Sequence, residues 1–119
     1  MIKYYKLHNN YKFIIFIFMT ALCLLTRQTG SEVSIVREGG IQAFMLLRES
    51  GIETEMICVK GLFNLSVVDA YQAKSVGQAL IPALMSMATS KNMAIRHLAV
   101  KGLLNLSHLT RIRSRLTSL

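Results

Sequence analysis

The chain predicts an all-α fold made by stacking similar helical units, a solenoid. Val59-Lys-Gly-Leu-Phe-Asn-Leu-Ser66 returns forty-one residues later as Val100-Lys-Gly-Leu-Leu-Asn-Leu-Ser107, differing only at Phe63 against Leu104. Gly40-Ile-Gln-Ala-Phe-Met-Leu-Leu47 matches Leu80-Ile-Pro-Ala-Leu-Met-Ser-Met87 at a spacing of forty. Within each copy the apolar residues recur at a helical period. Self-similarity at a period near forty marks an array in which no unit buries its apolar face alone.

Taken in order, residues 1–19 form a basic and apolar segment. Lys3, Lys6 and Lys12 precede the thirteen-residue apolar run from Phe13 to Leu25. A basic start before an apolar run is the pattern of a secretory signal peptide. The run is shorter than the roughly twenty residues a transmembrane helix needs. Thr26-Arg27-Gln28-Thr29-Gly30 offers no Ala-x-Ala-like cleavage site. Three readings stay open for the first eighteen residues: a targeting or membrane segment, a divergent start resembling translated AT-rich non-coding sequence, and an ordinary helix.

Ala21-Leu-Cys-Leu-Leu-Thr26 stands forty residues before Gly61-Leu-Phe-Asn-Leu-Ser66, so residues 20–30 are read as the remnant of a unit's last helix. Residues 31–68 hold a full unit: a short helix, a corner at Gly39-Gly40, an apolar helix, a polar turn and a longer apolar helix. Residues 69–108 repeat that order. Pro82 is placed there in the first turn of a second helix, where its missing N–H loses nothing. Residues 109–119 are read as the first helix of a further unit. A solenoid cut at both ends is expected to be a piece of a longer array. Its apolar ends, Phe13 to Leu25 and Leu109 to Leu119, predict an isolated chain that is marginally stable and prone to associate.

At 100° per residue, Cys58, Gly61, Leu62 and Leu65 share one apolar face, with Met56, Lys60 and Asn64 roughly opposite. In the next unit Ala99, Gly102, Leu103 and Leu106 form the matching face, and His97, Lys101 and Asn105 lie opposite it. Gly61 and Gly102 stand mid-helix, where glycine costs about 1 kcal/mol against alanine. Close approach of a neighbouring helix accounts for both.

Gly39-Gly40-Ile41, then Leu46-Leu47, a polar turn and Leu62-Phe63-Asn64-Leu65-Ser66 resemble the armadillo repeat family. That resemblance covers residues 20 to 119 and implies an armadillo-type α-solenoid: a right-handed superhelix of three-helix units of about forty-two residues. HEAT repeats, the neighbouring alternative, usually have two helices and lack the Gly corner paired with Asn. The resemblance implies a concave groove lined by third helices and holding an extended peptide. Asn64 and Asn105 match the family's ladder Asn, whose amide both donates to and accepts from a ligand backbone. Position 24, where a third would stand, is Leu.

Importin-type members place a Trp four residues before that Asn; Lys60 and Lys101 stand here instead, a pattern closer to catenin-type grooves that take acidic or phosphorylated partners. The peptide-binding set is thus Lys60, Asn64, His97, Lys101 and Asn105. The function implied is a non-enzymatic scaffold or adaptor in the cytoplasm or nucleus. The alternative is a membrane-anchored or exported tethering protein that uses residues 1–25.

Composition limits the other classes. Net charge is +8, and from Arg27 onward eleven basic residues face six acidic ones, a balance that favours acidic partners. No basic stripe interleaved with aromatics points to nucleic acid, and Trp is absent. Cys23 and Cys58 lack a CxxC neighbour or a His at ligand spacing, so no metal is expected, and both read as reduced core residues. The sequons at Asn64 and Asn105 belong to the repeat, because glycosylation inside packed helices would compete with folding. No cofactor motif occurs, and His8, His97 and His108 form no nucleophile–base–carboxylate set, so catalysis is not expected.

Overall fold

The computed structural model describes residues 2–69 and 72–117, with side chains described for 11–69, 72–109 and Arg111. Six α-helices follow one another: α1 (Ile2–Leu25), α2 (Glu32–Arg37), α3 (Gly40–Leu47), α4 (Ile52–Leu65), α5 (Ala73–Met87) and α6 (Met93–Thr117). A 3-10 turn, Arg48–Ser50, joins α3 to α4. The class is all-α, with no strand among the described residues.

The corner between α2 and α3 forms where the sequence places it. Gly39 takes φ 86°, the left-handed region that disfavours any side chain with a Cβ. A Cβ on Gly40 would overlap the Ile35 side chain and approach its carbonyl, so the corner closes only around two glycines. The corresponding positions in the next unit are Ala79 and Leu80. With no residue suited to a left-handed turn, the chain does not break there, and α5 runs unbroken from Ala73 to Met87. Pro82 therefore sits inside α5 rather than in the first turn of a separate helix. Pro82 and Gln78 are both exposed, which lets water reach the carbonyl that the missing N–H leaves unpaired.

Local polar groups start the later helices. The Asp69 carboxylate accepts from the Gln72 N–H at 2.9 Å just before α5. The Asn92 side chain accepts from the Ile95 N–H at 3.2 Å and so caps α6. Glu53 and Glu55 lie in the first turn of α4, where the helix dipole favours negative charge. Two expected boundaries leave no mark on the backbone. α1 runs through position 20 without interruption, and α6 continues past Leu109 to Thr117.

α1, α4 and α6 lie side by side and parallel. At the C-terminal ends of α1 and α4, Asn64 reaches Thr26, and Asn105, midway along α6, reaches Ser66 just past α4. Near the other ends, Phe13 and Phe16 share a cleft with Ile52 and Glu53, and Ser90 donates to Glu55 at 2.6 Å. α2, α3 and α5 back this row; the shortest principal extent, 17 Å, leaves room for about two helix layers.

The core lies between the layers and runs from Met19 and Phe44 through Leu62, Leu65, Leu80 and Leu84 to Ile95 and Leu106. Cys58, Gly61, Leu62 and Leu65 are buried, as are Ala99, Gly102 and Leu106, with Leu103 half-buried. Both mid-helix glycines are explained by a neighbour: Phe44 of α3 covers Gly61, and Leu84 of α5 covers Gly102. Among the described residues no helix is long and apolar enough to cross a membrane.

Candidate functional site

α1 buries Met19 and half-buries Ile15, Leu22 and Cys23 on its inner side, and Thr26 is buried just past its end. That side packs beside α4 and leaves a furrow between the two helices. A cleft of about 450 Å³ at one end is lined by Thr20, Cys23, Leu24, Arg27, Ile57, Lys60 and Asn64. A second depression of about 400 Å³ shares Ile57 and Lys60 and adds Phe16, Met56 and Glu53. A third, about 620 Å³, shares Phe16 and Glu53 and reaches Lys12 and Thr54. Shared lining residues make this one furrow along α4, with Lys12, Lys60 and Arg27 on its walls and Glu53 its acidic group.

Lys60 is exposed and Asn64 half-buried, and the structure brings the two into one cleft. His97 and Lys101 are exposed on α6, with Asn105 half-buried at the next turn. These three stand one helix further along the row. Lys60 with Asn64 and Lys101 with Asn105 therefore occupy equivalent places on successive parallel helices.

The two asparagines already serve the fold. Asn64 Nδ2 donates to Thr26 Oγ1 at 3.0 Å, and that hydroxyl donates to the Cys23 carbonyl. Asn105 Nδ2 donates to Ser66 Oγ at 3.3 Å, and that hydroxyl donates to the Phe63 carbonyl. The same relay is thus built twice, tying each of α4 and α6 to the helix before it. Asn64 Nδ2 also donates to Cys23 Sγ at 4.0 Å, which leaves its amide oxygen for other partners, while Asn105 retains an oxygen and a second N–H. Asn64→Ala is expected to lower stability by about 1 kcal/mol, the usual net worth of one such bond. Urea denaturation followed by far-UV circular dichroism measures it, and an unchanged midpoint would show that the relay contributes nothing.

Cys23 sits beside the cleft's charges. Partial burial pushes its thiol up, opposed first by Lys60, then by the hydrogen bond with Thr26 and by Arg27. Cys58, wholly buried on the packing face of α4, is pushed up to about 12 by desolvation. Both cysteines are free. Among the described residues no group of three His, Cys, Asp or Glu side chains is placed to hold a metal ion.

Sequence reasoning did not find Arg27 or the relay hydroxyls. Thr26, Ser66 and Ser107 each close the repeated Leu-rich segment, and that recurrence was the available signal. Leu24, where a third ladder Asn would stand, lies on the cleft wall and is 55% exposed. No protein-family profile, curated protein or solved structure matches this chain.

Proposed function

We propose that the chain is an armadillo-type α-solenoid segment acting as a non-enzymatic protein–protein interaction module. It holds an extended acidic or phosphorylated stretch of a partner protein along the row formed by α1, α4 and α6. The observation that carries this reading is the repeated Lys–Asn pair, Lys60 with Asn64 and Lys101 with Asn105, on successive parallel helices. Lys60 and Lys101 supply exposed charge, joined by Arg27 in the cleft, and the exposed His97 on α6 adds an imidazole able to hydrogen-bond the ligand. The free amide groups of Asn64 and Asn105 meet the ligand backbone.

Packed helix axes lie about 8–10 Å apart, so the row from α1 through α4 to α6 spans roughly 16–20 Å, room for about five residues of extended chain crossing it. Charge favours an acid: every Asp and Glu lies between Glu32 and Asp69, and Lys74, Lys91, Arg96, Lys101, Arg111, Arg113 and Arg115 follow with none. This scaffold or adaptor role belongs to the cytoplasm or nucleus and uses no cofactor.

The test is fluorescence anisotropy with labelled extended peptides: one rich in Asp and Glu, one bearing phosphoserine, and one rich in Lys. The chain is expected to prefer the first two. Lys60→Glu with Lys101→Glu is expected to weaken them at least about tenfold, since two exposed attractions become repulsions. A preference for the Lys-rich peptide, or an unchanged affinity in the double variant, refutes the proposal.

A further inference from the structure

The inner side of α1 is fixed against the fold through Met19 and Thr26, and its outer side is left uncovered. Ile14, Ile17 and Phe18 are between 49% and 59% exposed, and Leu25, 48% exposed, extends the same surface to the end of the helix. An exposed apolar face this continuous marks a contact with something other than water.

We propose that this outer face of α1 docks onto an anionic lipid surface, with the helix lying in the plane of the membrane. Charge complementarity selects lipid. Residues 1–31 contain Lys3, Lys6, Lys12 and Arg27 and no acidic residue. Lys12, just before the apolar run, and Arg27, just after it, are both exposed. Cations flanking an apolar helix face meet the phosphate and carboxylate headgroups while the apolar side chains enter the headgroup–acyl boundary.

Crossing the membrane is a separate matter. The run from Phe13 to Leu25 spans about 20 Å as a helix, short of the roughly 30 Å hydrocarbon core. A crossing would also pull Met19 and Thr26 off α4, whereas in-plane docking leaves the inner packing intact. Lys12 and Arg27 also line the furrow, but Ile14 and Ile17 do not, so a change at these two side chains separates lipid docking from peptide binding.

The test is co-sedimentation of the full chain with vesicles of phosphatidylcholine alone and with phosphatidylserine added. Binding is expected only with phosphatidylserine and should weaken with salt, which screens the flanking charges. Ile14→Ser with Ile17→Ser is expected to weaken it at least about tenfold, with an unchanged thermal melt because both side chains are exposed. As the chain has no Trp, Ile17→Trp gives a single reporter whose emission should shift to the blue on anionic vesicles. Equal binding to neutral vesicles, or full binding by the Ser variant, overturns the proposal. So does a chain that ignores both vesicle types but is dimeric by light scattering and becomes monomeric in the Ser variant, since the face would then belong to a second copy.

Discussion

Phe44→Ala is expected to remove about 3–5 kcal/mol of stability, the cost of emptying a buried aromatic site. Phe44 is fully buried, and its ring lies flat on Gly61 of α4. The same contact makes Gly61→Ala unfavourable. A Cβ there would overlap the ring, and an overpacked core loses about 1–3 kcal/mol. The gain in helix propensity, about 1 kcal/mol, offsets only part of this. Gly102→Ala is the control. Its nearest neighbours are the Leu84 methyls at 3.0 and 3.1 Å, the mobile end of a side chain, so strain and propensity should nearly cancel. Urea denaturation of Phe44→Ala, Phe44→Leu, Gly61→Ala, Gly102→Ala and the Gly61→Ala, Phe44→Leu pair completes the test. The pair should be more stable than the sum of its single changes predicts, because a smaller side chain makes room for the new methyl. If Gly61→Ala is as harmless as Gly102→Ala, the close approach of α3 is not what keeps residue 61 small.

That contrast shows what was legible in the sequence. The all-α class follows from apolar residues at helical spacing, and Cys58, Gly61, Leu62 and Leu65 pack inward as their period requires. The Gly39-Gly40 corner was legible because a left-handed turn has few residue choices. Pro82 was misplaced for the converse reason. A proline suits a helix start, but a start also needs the chain to turn, and Ala79-Leu80 provides no turn. The continuity of α6 past Leu109 has the same origin, since Ser107-His-Leu-Thr-Arg-Ile112 contains neither Gly nor Pro. At the site, Lys60 and Asn64 were found because they repeat. Arg27 was missed because it lies beyond the helix end, where position 67 in the next unit is Val.

The relay also explains why the repeated segment keeps a hydroxyl beside its Asn. An amide N–H on a half-buried asparagine needs an acceptor, and the hydroxyl ending the previous helix supplies it. Fold and proposed function therefore share one side chain. The amide of Asn64 ties α4 to Cys23 and Thr26 through its Nδ2, and the residue lines the furrow beside Lys60. Substituting it disturbs both, so the lysines, which are exposed, separate binding from stability more cleanly.

The second large effect lies in alkaline solution and comes from Cys58. Its thiol is raised from an ordinary value of 9.0 to about 12, with burial the main cause, Arg48 opposing, and Glu55 and Cys23 adding. Between these two values the folded chain keeps the proton and the unfolded chain loses it. Rising pH in that window therefore favours unfolding: the contribution is intact below pH 9 and is lost as pH climbs toward 12. The slope is about 1.4 kcal/mol per pH unit. The comparison is with Cys58→Ala, which leaves every other ionisable group in place. Whatever the substitution costs at neutral pH, the gap between the two proteins should close by about 2 kcal/mol from roughly pH 8 to pH 10.5. Thiol alkylation gives the kinetic counterpart. Cys23, half-buried at the furrow, should react in the folded chain, and Cys58 only as the chain unfolds. A gap independent of pH would mean that Cys58 ionises in the folded state at its ordinary value. Water would then reach the packing face of α4, and the layer formed by α3 and α5 would not seal the core.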